Sequence, residues 1–179
     1  MCHHFHLSLQ SGCDETLSRM NRRYTTEQFL KIVNRIRNKF EDSILTTDII
    51  VGFPGETDEE FNKTYEFLKQ VKFYKMHIFK YSVRTGTKAE TFPNQVDSHI
   101  KEKRSKILLE LSDINEKEYL NKYIGKNIDV LFEEKDSDGF WKGHTSNYIM
   151  ARVKSDDNLE NKIKNIKVQN ESKFILNCI

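Results

Sequence analysis

The sequence lacks the features of a membrane or secreted protein. None of its 179 residues falls in an apolar run that approaches the roughly eighteen residues needed to cross a bilayer. The first six residues, Met1 to His6, include neither a basic segment nor an apolar one, so no signal peptide is expected there. We therefore expect a cytoplasmic protein without a membrane partner.

The sequence also has almost no excess of charge. Its 29 basic and 27 acidic residues give a net charge of +2, which argues against a broad basic surface of the kind that attracts polyanions. Any contact with nucleic acid would have to come from a local patch. A content of 37% hydrophobic and 31% charged residues is typical of a folded globular protein. The length suits one large domain or two small ones.

Cysteine is scarce, and the chain contains only Cys2, Cys13 and Cys178. An odd number at unrelated spacings argues against a disulfide framework and against zinc, and favours free thiols. Three histidines lie next to Cys2, namely His3, His4 and His6. His4 and His6 would share one side of a strand, but no third ligand follows at a suitable distance, so we expect no metal site.

Strands and helices alternate from the N-terminus to about residue 121. Apolar runs predict strands over 5–9, 44–51 and 76–81. Two capping boxes predict helix starts, one at Thr25 with Gln28 and one at Thr57 with Glu60. A long amphipathic helix is predicted from Ile100 onwards. Three strand–helix repeats predict parallel βα units that cannot close a barrel, so we expect open sheet edges that favour self-association.

The pattern changes after residue 122. Ile128, Val130 and Phe132 alternate with polar residues, residues 136–139 form a predicted turn, and further strands are predicted over 148–153, 166–168 and 174–179. About five short strands in fewer than sixty residues predict a small antiparallel barrel of the oligonucleotide-binding type. We therefore expect two domains, over residues 1–121 and 122–179.

Polar residues follow two of the predicted strands. Asp48 lies near the end of the second strand and Gly52 follows it, an arrangement that suits an active site at the carboxyl end of a parallel sheet. The alternative is a simple tight turn. Gln10 and Ser11 follow the first strand, and Arg22 could hold a carboxylate, although an arginine ahead of a helix is commonly just solvated.

A second group of candidate residues lies in the predicted barrel. Lys142, His144 and Tyr148 combine positive charge with aromatic rings, which could contact phosphates and stack on bases. Trp141 and Arg152 could join them. The alternative is that Tyr148 and Trp141 pack the inside of the barrel.

Five segments in order carry a resemblance to a known family: residues 5–13, 20–24, 48–57, 79–89 and 143–148. Together they resemble the second half of the radical-SAM tRNA methylthiotransferases, which modify adenosine 37 of tRNA. The resemblance covers nearly the whole chain. Cys13 after Gln-Ser-Gly and the strand over 75–79 are most similar to the branch that acts on N6-threonylcarbamoyladenosine.

The resemblance implies the C-terminal half of a partial radical-SAM (β/α) barrel, followed by a small all-β TRAM barrel that is OB-like. It implies tRNA as a partner, with S-adenosylmethionine and 4Fe–4S clusters as cofactors of a reaction that places a methylthio group at C2 of the base. The residues implied to bind S-adenosylmethionine are Gln10, Ser11, Arg22, Asp48 and Gly52. Those implied to contact substrate or RNA are Tyr81, Ser82, Arg84, Lys142, His144 and Tyr148.

The sequence departs from the family in one respect. The C-x₃-C-x₂-C motif of the radical-SAM cluster is absent, as is the N-terminal domain with its own three cysteines. We therefore expect this chain to be catalytically incomplete without a missing N-terminal half. The alternative function is that of a residual RNA-binding module built from residues 122–179.

Overall fold

The structure is a computed structural model that describes residues 3–179. The chain forms two compact units. One contains residues 5–41 and 45–113, and the other contains residues 114–179 with two short segments, at 3–4 and 42–44. Each unit has its own sheet or barrel. The domain boundary predicted at residue 121 stays a prediction.

The first unit is built on a three-stranded sheet. Its strands are β1 (His4–His6), β2 (Ile44–Val51) and β3 (Lys75–Lys80), in the spatial order β1-β2-β3. The helices are α1 (Asp14–Arg19), α2 (Thr26–Lys39), α3 (Asp58–Val71) and the start of α4 (Ser98–Asn121), with a 3₁₀ turn at Lys88–Thr91. Strands β2 and β3 are parallel, as the βα pattern predicts.

Both capping boxes are confirmed. The Thr25 side chain accepts a hydrogen bond from the backbone of Gln28, and Thr57 does the same from Glu60, while each glutamine or glutamate side chain bonds back to the capping residue. Helix α1 is not predicted from the sequence, because its six residues are too few to show a helical period. The strand predicted over residues 5–9 is shorter and starts earlier in the structure, where β1 ends at His6; beyond it, the N–H of Leu7 donates to Thr46 and Gln10 forms a bridge to Ile49.

The two faces of this sheet differ. One face packs against the helices, and its side chains are fully buried; they include Leu9, Leu45, Ile49, Val51 and Met76. The opposite face, here called the open face, carries His6, Asp48, Ile50, His77 and Phe79, all of them partly or largely exposed among the described residues. Parallel sheets are normally covered on both faces. The open face is therefore a surface on which a ligand or a further protein segment can lie.

The second unit holds a closed barrel of five strands. They are β4 (Asn127–Lys135), β5 (Phe140–Thr145), β6 (Met150–Lys154), β7 (Lys162–Ser172) and β8 (Ile175–Cys178), in the order β4-β5-β6-β8-β7. Alternate side chains such as Val130, Phe132 and Leu176 fill its interior. The predicted small barrel is confirmed. It differs from the prediction in one pair, because β6 and β8 are parallel.

Candidate functional site

A cavity of about 450 Å³ opens at the carboxyl ends of β2 and β3. Its wall is formed by Gln10, Asp48, Ile50, Phe79, Lys80, Tyr81, Ser82, Arg84, Thr87 and Ala89. The volume falls in the range of small-molecule sites, and the carboxyl edge of a parallel sheet is where such sites form. Five of the residues proposed from the sequence meet here: Gln10, Asp48, Tyr81, Ser82 and Arg84.

The backbone around Gln10 is held in an unusual conformation. Gln10 has a φ of 70°, in the left-handed region that residues other than glycine rarely adopt. Its N–H donates to the carbonyl of Asp48 at 2.8 Å, and its carbonyl accepts from the N–H of Ile50 at 2.9 Å. These bonds to β2 hold the residue beside Asp48, so that both contribute to the cavity wall.

Asp48 lies at the centre of a polar network on the open face. Its Oδ2 atom is 3.1 Å from Nε2 of His6, and its Oδ1 atom is 3.4 Å from Nδ1 of His77. The hydroxyl of Ser8 donates to Oδ2 at 3.3 Å. A carboxylate with several donors is fixed in orientation, which suits it to bind or to position a neighbouring group.

Tyr81 has an unsatisfied polar atom. Its hydroxyl is buried and has no hydrogen-bond partner among residues 3–179. The ring lies edge-on to Phe53 at 5.2 Å between centroids, and the ammonium of Lys101 is 5.4 Å from the ring centroid. A buried hydroxyl without a partner is costly, so this hydroxyl is free to bond to a polar ligand atom or a water.

Three residues proposed for the cofactor do not reach the cavity wall. The Ser11 hydroxyl is buried and lies 3.1 Å from the hydroxyl of Thr64. Arg22 is exposed. Gly52 donates its N–H to Glu56. Its φ of 72° forms a tight turn, and the aliphatic part of the Lys101 side chain packs against it. For Gly52 the alternative interpretation, a tight turn, fits the structure.

Other wall residues were not proposed from the sequence. They are Ile50, Phe79, Lys80, Thr87 and Ala89. Most lie in the segment 79–89, from which only Tyr81, Ser82 and Arg84 were taken. The signal that could have found Phe79 is its position two residues before Tyr81, on the same face of the strand predicted over 76–81. Thr87 and Ala89 arrive through a loop, which no periodicity predicts.

The barrel places its candidate residues on its outer surface. The rings of His144 and Tyr148 stack at 4.6 Å, and His4, in the same unit, stacks on Tyr148 at 5.7 Å. Nδ1 of His144 is 2.6 Å from Glu133, and Lys142 pairs with Asp136 at 3.2 Å. The side chain of Tyr148 is 60% exposed.

Trp141 behaves differently from these surface residues. It is 7% exposed and belongs to the barrel interior, as the alternative interpretation had it. Arg152 lies on the outer surface, where its guanidinium covers the ring of Phe140 at 4.6 Å. Arg152 and the ring of Phe140 therefore lie on the same side of the barrel as Lys142. Lys142 pairs directly with Arg152 in the neighbouring strand.

The described cysteines are protected thiols. Burial raises the pKa of Cys13, and its thiol donates to Glu15 at 2.9 Å. Burial also raises the pKa of Cys178 to about 11. A thiolate, the form that ligates metals, is disfavoured at both positions. Cys2 lies outside the described residues, and within residues 3–179 no group of three or more histidine, cysteine, aspartate or glutamate side chains is arranged to hold a metal ion.

Within residues 3–179 no helix is long and apolar enough to cross a membrane.

Comparison with known proteins identifies the family. A model of the radical SAM superfamily matches residues 1–68. The threonylcarbamoyladenosine tRNA methylthiotransferase of Bacillus subtilis is 37% identical over 96% of this chain and 40% of its own length. The chain belongs to the tRNA methylthiotransferase family. The tRNA-2-methylthio-N(6)-dimethylallyladenosine synthases of Neorickettsia sennetsu and Acetivibrio thermocellus are 40% and 38% identical over 97% and 94% of the chain, and over 36% and 35% of their own lengths. The chain thus spans less than half the length of these relatives.

The methylthiotransferase family uses S-adenosylmethionine and 4Fe–4S clusters. The cavity fits the first of these, because the Asp48 carboxylate can accept hydrogen bonds from ribose hydroxyls and the Gln10 amide can donate to or accept from the cofactor's other polar groups. The clusters do not fit residues 3–179, where Cys13 and Cys178 are buried in different units.

Proposed function

We propose that this chain is the C-terminal part of a methylthiotransferase that installs a 2-methylthio group on N6-threonylcarbamoyladenosine at position 37 of tRNA. The observation that carries the proposal is the cavity at the carboxyl edge of the sheet, formed by segments through which the chain aligns with its relatives. An alternative substrate, N6-dimethylallyladenosine, appears in the names of two of the relatives.

The residues of this chain would bind and orient the reactants. When bound, S-adenosylmethionine would supply the radical chemistry of this family. Gln10 and Asp48 are assigned to its polar groups, and Tyr81, Ser82 and Arg84 to the adjoining substrate. Ser11, Arg22 and Gly52 are assigned to the structure of the loops that follow the strands. The Ser11 hydroxyl bonds to Thr64, Gly52 packs against Lys101, and Arg22 lies outside the cavity wall. The partly apolar wall limits the access of water to reactive species.

Exchange of this chain into a relative tests the proposed activity. Its sequence replaces the matching segment of the Bacillus subtilis relative, and modified nucleosides of tRNA are quantified by mass spectrometry. We expect the methylthio product on threonylcarbamoyladenosine and little on dimethylallyladenosine. The same chimera with Asp48→Asn should lose at least about tenfold in activity, since removing one charged contact costs roughly 1.5–3 kcal/mol.

Two further results would decide against the proposal. A folded chimera that modifies dimethylallyladenosine instead would refute the substrate assignment, and one that modifies neither base would refute the activity. The isolated chain, reconstituted anaerobically with iron and sulfide, should bind negligible iron and form no product. Stoichiometric iron on the isolated chain would show that its catalytic incompleteness was wrongly proposed.

A second candidate function is RNA binding by the barrel alone. It is supported by the surface group of Lys142, His144 and Tyr148, with Arg152 and Phe140 beside it. Lysine and arginine can meet phosphates, and exposed aromatic rings can contact bases. Because the net charge of the whole chain is only +2, we expect modest affinity that falls with salt.

Two substitutions test this surface. Lys142→Ala should weaken binding of an anticodon stem-loop uniformly and reduce the slope of log K against log salt by about 1, since one phosphate contact is lost. Tyr148→Asn, chosen because asparagine tolerates the φ of 72°, should weaken binding about fivefold or more through lost base contact. Fluorescence anisotropy provides the measurement, with Lys39→Ala in the other unit as control. Equal affinity of all variants would remove this surface from RNA recognition.

A further inference from the structure

His77 is a residue of the open face that the proposed function leaves unused. It lies on β3 directly opposite Asp48 on β2, and its side chain is 52% exposed. Its ring centroid is 5.8 Å from that of His6. It therefore stands beside the cavity, of which Asp48 forms part of the wall.

The contacts around Asp48 indicate how His77 can act. His6 uses both ring nitrogens, since Nδ1 is 3.0 Å from the hydroxyl of Thr46 and Nε2 is 3.1 Å from Asp48. The remaining oxygen, Oδ1 of Asp48, faces Nδ1 of His77 at 3.4 Å. The distance is that of an ion-pair contact; because a carboxylate only accepts hydrogen bonds, it favours, for a neutral His77, the tautomer with the proton on Nδ1 and a lone pair on Nε2. That lone pair has no hydrogen-bond partner among residues 3–179.

An aromatic ring lies next to this acceptor. Phe79 is two residues further along β3 on the same face, is 51% exposed, and forms part of the cavity wall. Two residues of a strand span about 7 Å, which is close to the dimensions of a purine. A base stacked on Phe79 can therefore bring an edge within reach of His77. Exposed phenylalanine side chains are common stacking partners of unpaired bases.

We propose that Phe79 and His77 form the subsite for the target adenine, with Phe79 stacking on the base and Nε2 of His77 accepting its exocyclic N6–H. Asp48 and His6 are positioning residues, which hold the imidazole in the acceptor tautomer. The inference rests on the proposed function, because it takes the base of a tRNA as the ligand. An N6 atom that carries one substituent, such as the threonylcarbamoyl group, retains the one N–H that the subsite requires.

The tautomer of His77 is measurable without any reaction. The chain is labelled with ¹⁵N-histidine, and the His77 resonances are assigned by their loss in His77→Phe. We expect a protonated Nδ1 and an unprotonated Nε2, and we expect Asp48→Ala, which removes the acceptor, to abolish that preference. A protonated Nε2 in the wild-type chain would overturn the proposal, because such a nitrogen cannot accept a hydrogen bond.

Base identity in the RNA tests the contact itself. The probes are two anticodon stem-loops, with adenosine or inosine at position 37. Adenosine RNA should shift the Nε2 resonance and bind about fivefold more tightly, the effect of one hydrogen bond, because inosine has a carbonyl at position 6. In His77→Phe the ratio of the two affinities, adenosine RNA over inosine RNA, should fall to about one. His99→Gln, an exposed histidine of α4, is the control that should leave it unchanged.

Two outcomes separate this inference from the proposed function. If both RNAs bind equally and the chimera still makes its product, the subsite is wrong and the function stands. If neither RNA binds and the chimera makes no product, the proposed function fails and the subsite fails with it. S-adenosylhomocysteine serves as a third probe. If S-adenosylhomocysteine shifts the Nε2 resonance as much as adenosine RNA does, the subsite belongs to the cofactor and the proposal is overturned.

Discussion

Replacing Arg104 by methionine is expected to destabilise the first unit by about 3–5 kcal/mol. This is the usual cost of leaving one member of a buried ion pair, here Glu56, without its partner. Nη1 of Arg104 donates to Oε1 of Glu56 at 2.6 Å, and Nη2 donates to Asp58 at 2.7 Å. The side chains of Arg104 and Glu56 are only 5% and 3% exposed. The same Glu56 oxygen accepts the N–H of Gly52 at 3.0 Å. The pair thus joins α4 to the turn between β2 and α3, next to the strand end that carries the cavity.

A double-mutant cycle separates the charge from the packing. Glu56→Gln keeps an acceptor for Gly52, so Arg104→Met combined with Glu56→Gln should recover part of the loss. Circular dichroism at 222 nm during urea unfolding follows α2, α3 and α4. Asp58→Asn, at a side chain that is 85% exposed, is the matched control and should change little. An Arg104→Met variant as stable as the wild type would show that the pair contributes nothing.

The loss in Arg104→Met should also depend on pH. Burial, as the largest cause, raises the pKa of Glu56 above its usual 4.5, against the N–H of Gly52 and the charge of Arg104, which lower it. Removing Arg104 raises that pKa further. A carboxyl with a raised folded pKa contributes stability below the unfolded pKa of 4.5, and this is lost as pH rises through the folded value. The deficit of the variant should therefore be smaller at about pH 4 than at pH 7.

Local signals in the sequence predicted the skeleton of the fold. The boxes at Thr25 and Thr57 begin their helices as predicted, because the bonding partners are three residues apart and need nothing from the rest of the chain. The run at 44–51 is β2 in full, since a strand between two neighbours has a long apolar signal. The barrel strand β5 was read only as a motif. Its sequence includes Gly143 and His144, which lower the apparent preference for a strand.

The site depended on contacts that are distant in the sequence. Arg104 and Glu56 are 48 residues apart, and His6 and Asp48 are 42 apart, so no local pattern connects them. The motifs indicated polar residues near the strand ends, and of these Gln10, Asp48 and Tyr81 lie in the cavity wall. They could not show that the Ser11 hydroxyl turns towards α3, because that direction follows from the bond to Thr64.

Gly143 shows how a motif residue can be required by the backbone structure, whatever its neighbours bind. It lies opposite Phe132 of β4, next to an irregularity between Phe132 and Glu134. A β-carbon at Gly143 would lie 2.0 Å from the carbonyl oxygen of Leu131 and 2.7 Å from the α-carbon of Phe132. Both are backbone atoms, so no side-chain rotation can relieve the overlap. The close approach of β4 and β5 therefore requires glycine here, and it places His144 on the outer surface beside Tyr148.

Gly143→Ala should accordingly destabilise the barrel by about 3 kcal/mol or more, because β4 must move and the ladder between the two strands must break in part. Trp141 is the only tryptophan and lies in the barrel, so its fluorescence during urea unfolding follows this unit. Gly139→Asn is the matched control. A β-carbon at Gly139 meets nothing within 4 Å, and asparagine tolerates the φ of 83°, so the midpoint should barely shift. Equal midpoints for the two variants would mean that β4 yields at no cost, and the glycine would then have to be explained by RNA recognition instead of packing.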